Sequence, residues 1–212
     1  DLSMRQAAVD LLLMRNALKH ALAREEFYLV YQPIFHAGSR RVAGVEALVR
    51  WQHPVLGNVP PDVFIAVAED IGIIHEMGRW VMQTACAEIK RWDASPAAGL
   101  RLNVNVSGAE LNHVGFVAKV AQILESTSLS PRDLQIEITE SVFLNEPETV
   151  AIALADLRKL GVHIALDDFG TGYSSLGYID RYPIDSIKID RSFVTRMMTH
   201  RRTIAIVTSI LS

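Results

Sequence analysis

Hydrophobic and polar residues alternate with a period of two in several short stretches of the chain, as is typical of β-strands. The predicted strands cover residues 27–35, 42–50, 100–106, 134–140, 162–168 and 185–190. Apolar residues at helical spacing predict helices at residues 1–26, 61–70, 74–92, 109–126, 147–160 and 191–211. This alternation of strand and helix predicts an α/β fold with a mostly parallel sheet. The connection at residues 36–41 is too short for a crossover helix, so the first two strands should pair antiparallel.

Apolar and polar side chains occupy opposite faces of the predicted strands. In one of them, Leu102 and Val104 alternate with Asn103 and Asn105. Parallel strands are normally covered on both faces, so polar residues near their carboxyl ends mark a place where a site can form. The residues of this kind are Glu46, Asn105, Glu137, Asp167, Asp168 and Lys188.

These polar residues favour a metal site of a particular kind. Oxygen donors together with one lysine suit a hard divalent cation, Mg²⁺ or Mn²⁺, better than zinc, which favours histidine and cysteine. A single glutamate at a strand end is usually a rim residue, and an isolated Asp-Asp pair is usually a turn or a helix cap. The recurrence of such residues on several strands, always away from the apolar face, is hard to explain by chance, so the metal site stands beside these simpler interpretations.

Composition and charge narrow the possible partners and compartment. The chain has 212 residues, a formal charge of −3 and 50% hydrophobic residues, without a run of 18 uncharged apolar residues or a visible signal peptide. Its only cysteine, Cys86, cannot form an internal disulfide or a zinc cluster, which favours a reducing, cytoplasmic compartment. The slightly acidic balance argues against a nucleic acid polymer as a partner, but it is compatible with a small phosphate ligand.

Seven blocks of the sequence carry a resemblance to a known family. They are YQPI (31–34), EALVRW (46–51), HPVLGNVPPDVFIAVAED (53–70), NVS (105–107), EITES (137–141), DDFGTGYSSL (167–176) and PIDSIKIDRSFV (183–194). In this order and spacing they resemble the bacterial EAL domain family, whose members are phosphodiesterases specific for cyclic di-GMP (c-di-GMP). The resemblance implies a modified (β/α)8 TIM-type barrel with one antiparallel strand. It also implies metal-dependent hydrolysis of c-di-GMP to linear pGpG.

The resemblance implies roles for the residues at the strand ends. The metal ligands would be Glu46, Asn105, Glu137 and Asp167. Asp168 would bind a second cation and orient the attacking water, so the two adjacent aspartates would serve different ions. Two Mg²⁺ or Mn²⁺ ions are expected, and Ca²⁺ should inhibit because it prefers longer bonds and a looser geometry.

Other residues would act on the substrate or on nearby loops. Lys188 would position or activate the water, or neutralise charge on the phosphate. Gln32 and Arg50 resemble contacts to guanine or phosphate, and Asp190 is a weaker candidate on the substrate side. Glu140 resembles a glutamate that holds the loop after the fifth predicted strand, residues 162–168, and does not bind metal.

The sequence also predicts a domain organisation. Residues 1–26 are expected to be a helix or linker that follows an upstream sensory or GGDEF-type domain. Residues 27–212 are expected to be an EAL domain that is incomplete at its C-terminus, because the family normally continues with two further strands. The domain is expected in the cytoplasm, either free or as part of a membrane-anchored protein. The loop that contains Tyr173 is expected to lie near a homodimer interface.

Three functions remain open from the sequence. The first is an enzyme that hydrolyses c-di-GMP. The second is a catalytically impaired receptor that binds c-di-GMP and signals through conformational change or dimerisation. The third is a scaffold that acts through dimer contacts alone. The intact set of proposed ligands favours the enzyme, while the seventh-strand glutamate of the family, which is not found before Ser212, keeps the receptor open.

Overall fold

A computed structural model of the chain describes residues 2–95, 97–144, 147–170 and 181–197. The strands are β1 (Phe27–Phe35), β2 (Val42–His53), β3 (Gly57–Val59), β4 (Arg101–Asn105), β5 (Leu134–Thr139), β6 (His163–Phe169) and β7 (Ser186–Ile189). The α-helices are α1 (Leu2–Ala21), α2 (Pro61–Asp70), α3 (Ile74–Trp92), α4 (Gly108–Leu111), α5 (Phe116–Thr127), α6 (Pro147–Leu160) and α7 (Arg191–Met197). Two 3₁₀ turns, Pro131–Asp133 and Glu140–Leu144, flank β5.

The strands form one sheet in the order β1-β2-β4-β5-β6-β7, with β3 paired to β2. β1 and β2 are antiparallel, as the short connection predicts, and this pairing sets Gln32 opposite Glu46. The pairs from β2 to β7 are parallel, so the carboxyl ends of these strands lie together along one edge of the sheet. The predicted α/β fold with a mostly parallel sheet is confirmed.

The apolar face of the sheet packs against the helices, and the polar face lies on the concave side. Six apolar residues of this face in β4, β5 and β6 are at most 2% exposed: Leu102, Val104, Ile136, Ile138, Ile164 and Leu166. Three polar residues of the opposite face are also buried, namely Asn103, Gln135 and Glu137. Both faces of the parallel strands are therefore covered, and the buried polar groups need partners within the concave side.

Several element boundaries differ from the prediction. The helix predicted at residues 1–26 ends at Ala21, and the turn that follows contains Glu25 in a left-handed conformation. The helix predicted at residues 109–126 is two helices, α4 and α5, because Gly115 adopts a positive φ of 85° between them. The short strand β3 was not predicted, and residues 198–211 of the last predicted helix lie outside the described residues. In the part of the chain that the structure describes, no helix is both long and apolar enough to cross a bilayer.

Cys86 offers a simple test of the packing of α3. Its side chain is fully buried, and burial raises the pKa of its thiol to about 12. Since the thiolate is the reactive form, we expect the folded protein to react with a thiol reagent at least about 10³-fold more slowly than an exposed cysteine does. Labelling with Ellman's reagent should be complete only after addition of denaturant. Rapid labelling of the native protein would show that this helix does not pack as described.

Candidate metal centre

Three carboxylates from three strands meet on the concave side of the sheet. Glu46 of β2, Glu137 of β5 and Asp167 of β6 offer oxygen atoms that all lie within 4.8 Å of one another. The Glu137 side chain is fully buried, whereas those of Glu46 and Asp167 are 16% and 18% exposed. The group therefore has a closed inner side and an open outer side through which a ligand could reach it.

Lys188 of β7 lies among these carboxylates. Its Nζ donates hydrogen bonds to Glu137 at 2.6 Å, to Glu46 at 2.9 Å and to Asp167 at 3.4 Å. Burial alone would lower the pKa of Lys188, but hydrogen bonds from Lys188 to Glu137 and Glu46 and the charge of Asp167 raise it overall. Burial raises the pKa of Glu137, and the hydrogen bond and charge of Lys188 oppose this increase. Lys188 is therefore an ammonium ion at neutral pH in this arrangement.

Two asparagines of β4 hold the carboxylates in place. The Asn105 Nδ2 donates to Oε1 of Glu46 at 2.8 Å, and the Asn103 Nδ2 donates to Oε1 of Glu137 at 2.7 Å. Asn105, the predicted ligand, is exposed at the end of its strand, whereas Asn103 is buried. The sequence prediction did not assign a role to Asn103, although it lies on the same strand face as Asn105.

A β-bulge interrupts the end of β6 at the two adjacent aspartates. From Leu166 to Phe169, β6 advances by three residues while β7 advances by two, and Asp168 adopts a left-handed φ of 52°. Strand alternation alone would point Asp168 away from Asp167. Burial raises the pKa of Asp168, and the charges of Asp167 and Asp190 raise it further. Asp168 remains exposed and lies outside the group of three carboxylates.

Glu140 contacts the start of the loop that it was predicted to hold. Its Oε1 accepts a hydrogen bond from the backbone N–H of Gly170 at 2.8 Å. Gly170 has a positive φ of 100°, and a side chain there would meet the Phe193 ring at 2.4 Å. The rest of that loop, including Tyr173, lies outside the described residues.

The predicted substrate contacts occupy different positions around the carboxylates. Gln32 is exposed and lies opposite Glu46 across the β1–β2 pair. The Arg50 Nη1 donates to the carbonyl oxygen of Val49 at 2.8 Å, which leaves other guanidinium donors for a ligand. Asp190 accepts a hydrogen bond from the backbone N–H of Ser192 at 2.8 Å and so stabilises the start of α7.

A cavity of about 380 Å³ adjoins the carboxylates. Its volume is within the range of small-molecule sites, about 300–1,000 Å³. Its walls combine apolar residues of β2, α2 and α3 with polar residues of the site, among them Leu48, Arg50, Ile65, Met77, Asn105 and Glu137. The site thus has a mixed surface that suits a ligand with both apolar faces and charged groups.

The donor set fits a hard divalent cation. When all are ionised, three carboxylates and one ammonium ion leave a net charge of −2, which a divalent cation would balance. Octahedral Mg²⁺ binds oxygens at about 2.1 Å, so oxygens on opposite sides of the ion are about 4.2 Å apart. The separations of up to 4.8 Å among the carboxylate oxygens require only small side-chain movements to reach this geometry. Histidine and cysteine are absent from the group, which argues against zinc.

The model of the EAL domain family matches residues 15–212, nearly the whole chain and all the residues of this site. The chain belongs to the EAL domain family. Its relatives include the bifunctional diguanylate cyclase/c-di-GMP phosphodiesterase MucR of Pseudomonas aeruginosa, which is 38% identical over 210 residues. That match covers 99% of this chain and 31% of MucR. A signalling protein of Caulobacter vibrioides is 43% identical over 194 residues, which are 92% of this chain and 24% of that protein. This EAL chain thus spans about a quarter to a third of the length of these curated relatives.

Solved structures of EAL proteins have the same fold. The PaMucR phosphodiesterase in its c-di-GMP complex superposes with a TM-score of 0.87 at 38% identity, covering 93% of this chain and 80% of that one. The EAL enzyme Bd1971, in its form with cAMP and c-di-GMP bound, superposes with a TM-score of 0.89 at 32% identity. That alignment covers 99% of this chain and 58% of the Bd1971 chain. The predicted TIM-type barrel architecture is confirmed at the level of the family fold.

Proposed function

We propose that this EAL domain is a metal-dependent phosphodiesterase that hydrolyses c-di-GMP to linear pGpG. The observation that carries the proposal is the cluster of Glu46, Glu137 and Asp167 around Lys188 at the carboxyl ends of parallel strands. The names of similar proteins support the substrate, because MucR is a c-di-GMP phosphodiesterase and PaMucR was solved in complex with c-di-GMP. The proposal includes a cytoplasmic location, where a reduced Cys86 would be stable.

Four residues would hold the metal, which we propose to be Mg²⁺ or Mn²⁺. They are Glu46, Asn105, Glu137 and Asp167, and Asp168 would contribute to a second ion beside the first. Such an ion, when bound, lowers the pKa of water and draws charge from phosphate oxygens. Burial is the main cause of the raised pKa of Asp168, but the charges of Asp167 and Asp190 add to it and support a further cation near that carboxyl group. The Asn103 amide would keep Glu137 oriented toward the ion through its 2.7 Å hydrogen bond.

Lys188 would act as a charged hydrogen-bond donor. Its raised pKa makes it a poor base at neutral pH, so it would orient the attacking water or a phosphate oxygen through N–H donation. Any proton released from the water would have to be accepted by a group other than the Lys188 ammonium.

Arg50 and Gln32 would hold the substrate beside this centre. Arg50 lines the cavity, and its planar guanidinium can donate two parallel hydrogen bonds to a phosphate. Gln32, opposite Glu46, would contact guanine or phosphate from β1. Asp190 stays a weaker candidate on the substrate side, because one of its oxygens is already used at the start of α7.

We also propose that the protein forms a homodimer and that a GGDEF-type domain neighbours it in a longer chain. The loop after β6 would contribute to a homodimer, and Glu140 would support that loop through Gly170. The name of MucR, which includes a diguanylate cyclase, supports a GGDEF-type neighbour in the longer protein. Size measurement by analytical ultracentrifugation, with and without c-di-GMP, tests the dimer independently of turnover.

A product assay separates the enzyme from the receptor. The chain is incubated with c-di-GMP and Mg²⁺ or Mn²⁺, and linear pGpG is quantified by chromatography, with a Glu46→Gln variant as the inactive control. Formation of pGpG by the wild-type protein alone is the expected result. Binding of c-di-GMP without product under all metal conditions would identify a receptor, and absence of both binding and turnover would leave only the scaffold.

Calcium should inhibit turnover that Mg²⁺ or Mn²⁺ supports. Ca²⁺ binds oxygens at about 2.3–2.6 Å with six to eight ligands, so it would occupy the carboxylates without the compact geometry that phosphate activation needs. We expect turnover to fall at least about tenfold when Ca²⁺ is added in excess over Mn²⁺. The measurement is the initial rate of pGpG formation across a Ca²⁺ titration. Strong activation by Ca²⁺ would count against the proposed site.

A further inference from the structure

Glu110, a buried carboxyl group in α4, lies close in sequence to the proposed metal ligand Asn105. It is 6% exposed. Its Oε2 accepts hydrogen bonds from the backbone N–H of Ser107 at 3.0 Å and from the Ser107 hydroxyl at 2.8 Å. The Ser107 Oγ accepts in return from the backbone N–H of Glu110 at 3.2 Å. The two residues thus form a reciprocal capping box at the start of α4.

Gly78 of α3 makes room for this carboxyl group. A methyl group at this position would lie 1.6 Å from Oε1 of Glu110 and 2.6 Å from its carboxyl carbon. Glycine inside a helix is less favourable than alanine, so the close approach of Glu110 gives a physical reason for glycine here. The obstructing atoms belong to the end of a side chain, so an alanine would displace the carboxyl group without requiring the backbone to move.

The capping box fixes the turn that carries Asn105. Ser107 follows Asn105 by two residues, and the residue between them, Val106, donates its backbone N–H to the carbonyl oxygen of Glu137 at 2.9 Å. The Asn105 side chain donates to Glu46 at 2.8 Å. Asn105 itself is exposed and has only this one described side-chain hydrogen bond, so the direction of its side chain depends on the backbone that follows it.

We propose that Glu110, seated against Gly78, is a positioning residue that sets the orientation of Asn105 at the metal centre. The inference rests on the proposed function, because it assigns Asn105 a role as ligand. Burial, which outweighs the hydrogen bonds from Ser107, raises the pKa of Glu110 to about 7. Glutamine is a close substitute for Glu110, because its side-chain oxygen can accept the same hydrogen bonds from Ser107.

Gly78→Ala and Glu110→Ala test the proposal together. Each should weaken Mn²⁺ binding, measured by electron paramagnetic resonance, by about 10-fold or more, and should lower kcat more than it raises KM. The double variant should be no worse than Glu110→Ala alone, because both substitutions remove the same contact. Glu110→Gln should bind Mn²⁺ within about threefold of the wild-type protein, since it keeps the acceptor for Ser107.

Two matched controls come from the same chain. Gly38→Ala adds a methyl group where no atom lies within 4 Å, and Glu125→Ala removes an exposed carboxylate from α5. Both should bind Mn²⁺ as the wild-type protein does. Unchanged Mn²⁺ affinity in Gly78→Ala and Glu110→Ala, or a change in melting temperature alone, would overturn the positioning role. Additive losses in the double variant would also overturn it. If the wild-type protein forms no pGpG but the Mn²⁺ affinities follow this pattern, the proposed function fails while the positioning role stands.

Discussion

Replacing Lys188 with methionine is expected to lower turnover of c-di-GMP by about 10³-fold while divalent-metal affinity is kept or increases. Methionine approximates the length of the lysine chain but lacks the ammonium group that contacts Glu46, Glu137 and Asp167. Removing a positive charge from beside a cation site should favour the cation, because the carboxylates lose a competing partner. A loss of turnover with retained metal would separate the role of Lys188 from that of the ligands.

Stability gives a second readout for the Lys188→Met protein. Without its ammonium group, three clustered carboxylates repel one another, so the melting temperature in EDTA should be lower than that of the wild-type protein. Mn²⁺ should restore most of this loss by taking over the neutralising charge. Lys159→Met, which removes an exposed lysine from α6, is the matched control. Unchanged turnover in Lys188→Met, or loss of metal binding together with turnover, would contradict the assigned role.

Replacing Glu137 with glutamine is expected to abolish both metal binding and turnover. Glu137 is the carboxylate with a fully buried side chain, and it contacts Lys188 at 2.6 Å and Asn103 at 2.7 Å. Glutamine keeps the shape of the side chain but removes its negative charge. Its amide N–H group would also face the N–H donors of Lys188 or Asn103, which bind the carboxylate of Glu137. We expect Mn²⁺ affinity to fall at least about 100-fold, as loss of a ligand should exceed the effect of losing a supporting contact.

The companion measurements distinguish this effect from misfolding. Circular dichroism should show a folded Glu137→Gln protein, and isothermal titration should show the loss of Mn²⁺ binding. Glu125→Gln, an exposed substitution on α5, should bind Mn²⁺ normally. If the Glu137→Gln protein binds Mn²⁺ and forms pGpG at the wild-type rate, Glu137 is not a ligand of the proposed metal centre.

The period of two along the strands predicted that Glu46, Glu137 and Asp167 would lie on the same side of the sheet. The set of polar residues predicted at the strand ends also included Asp168, which lies outside the group. In parallel strands, residues on the same face near the carboxyl ends become neighbours once the strands are in register. The structure brings Glu46, Glu137 and Asp167 together in this way and adds Lys188 from the last described strand. The antiparallel start of the sheet was also predictable, because a short connection allows no crossover helix.

Features that depend on pairing between distant residues were not predictable. The bulge at Asp167 and Asp168 arises from the register between β6 and β7, which no local pattern encodes. The three residues of β3 lie in a segment rich in proline and glycine, and they form a strand only by pairing with the end of β2. Strand periodicity needs more residues than this to be visible.

Two further features, the helix break at Gly115 and the contact of Asn103, have a recognisable signal in the sequence. Gly115 lies inside the helix predicted at residues 109–126, and a glycine there is a recognisable break between helices. Asn103 shares a strand face with Asn105, which was enough to suggest a second polar contact inside the site. The resemblance implied a role for Asn105 and none for Asn103.

Titration of Mn²⁺ into metal-free wild-type protein in the presence of c-di-GMP is the most direct test of the proposed metal-dependent hydrolysis. Metal occupancy and the rate of pGpG formation are followed in the same samples, with EDTA as the zero point. We predict that the rate is negligible in EDTA and rises in proportion to occupancy of the centre formed by Glu46, Glu137 and Asp167. Formation of pGpG at the full rate in EDTA, or saturation of the centre with Mn²⁺ without any pGpG, would contradict it.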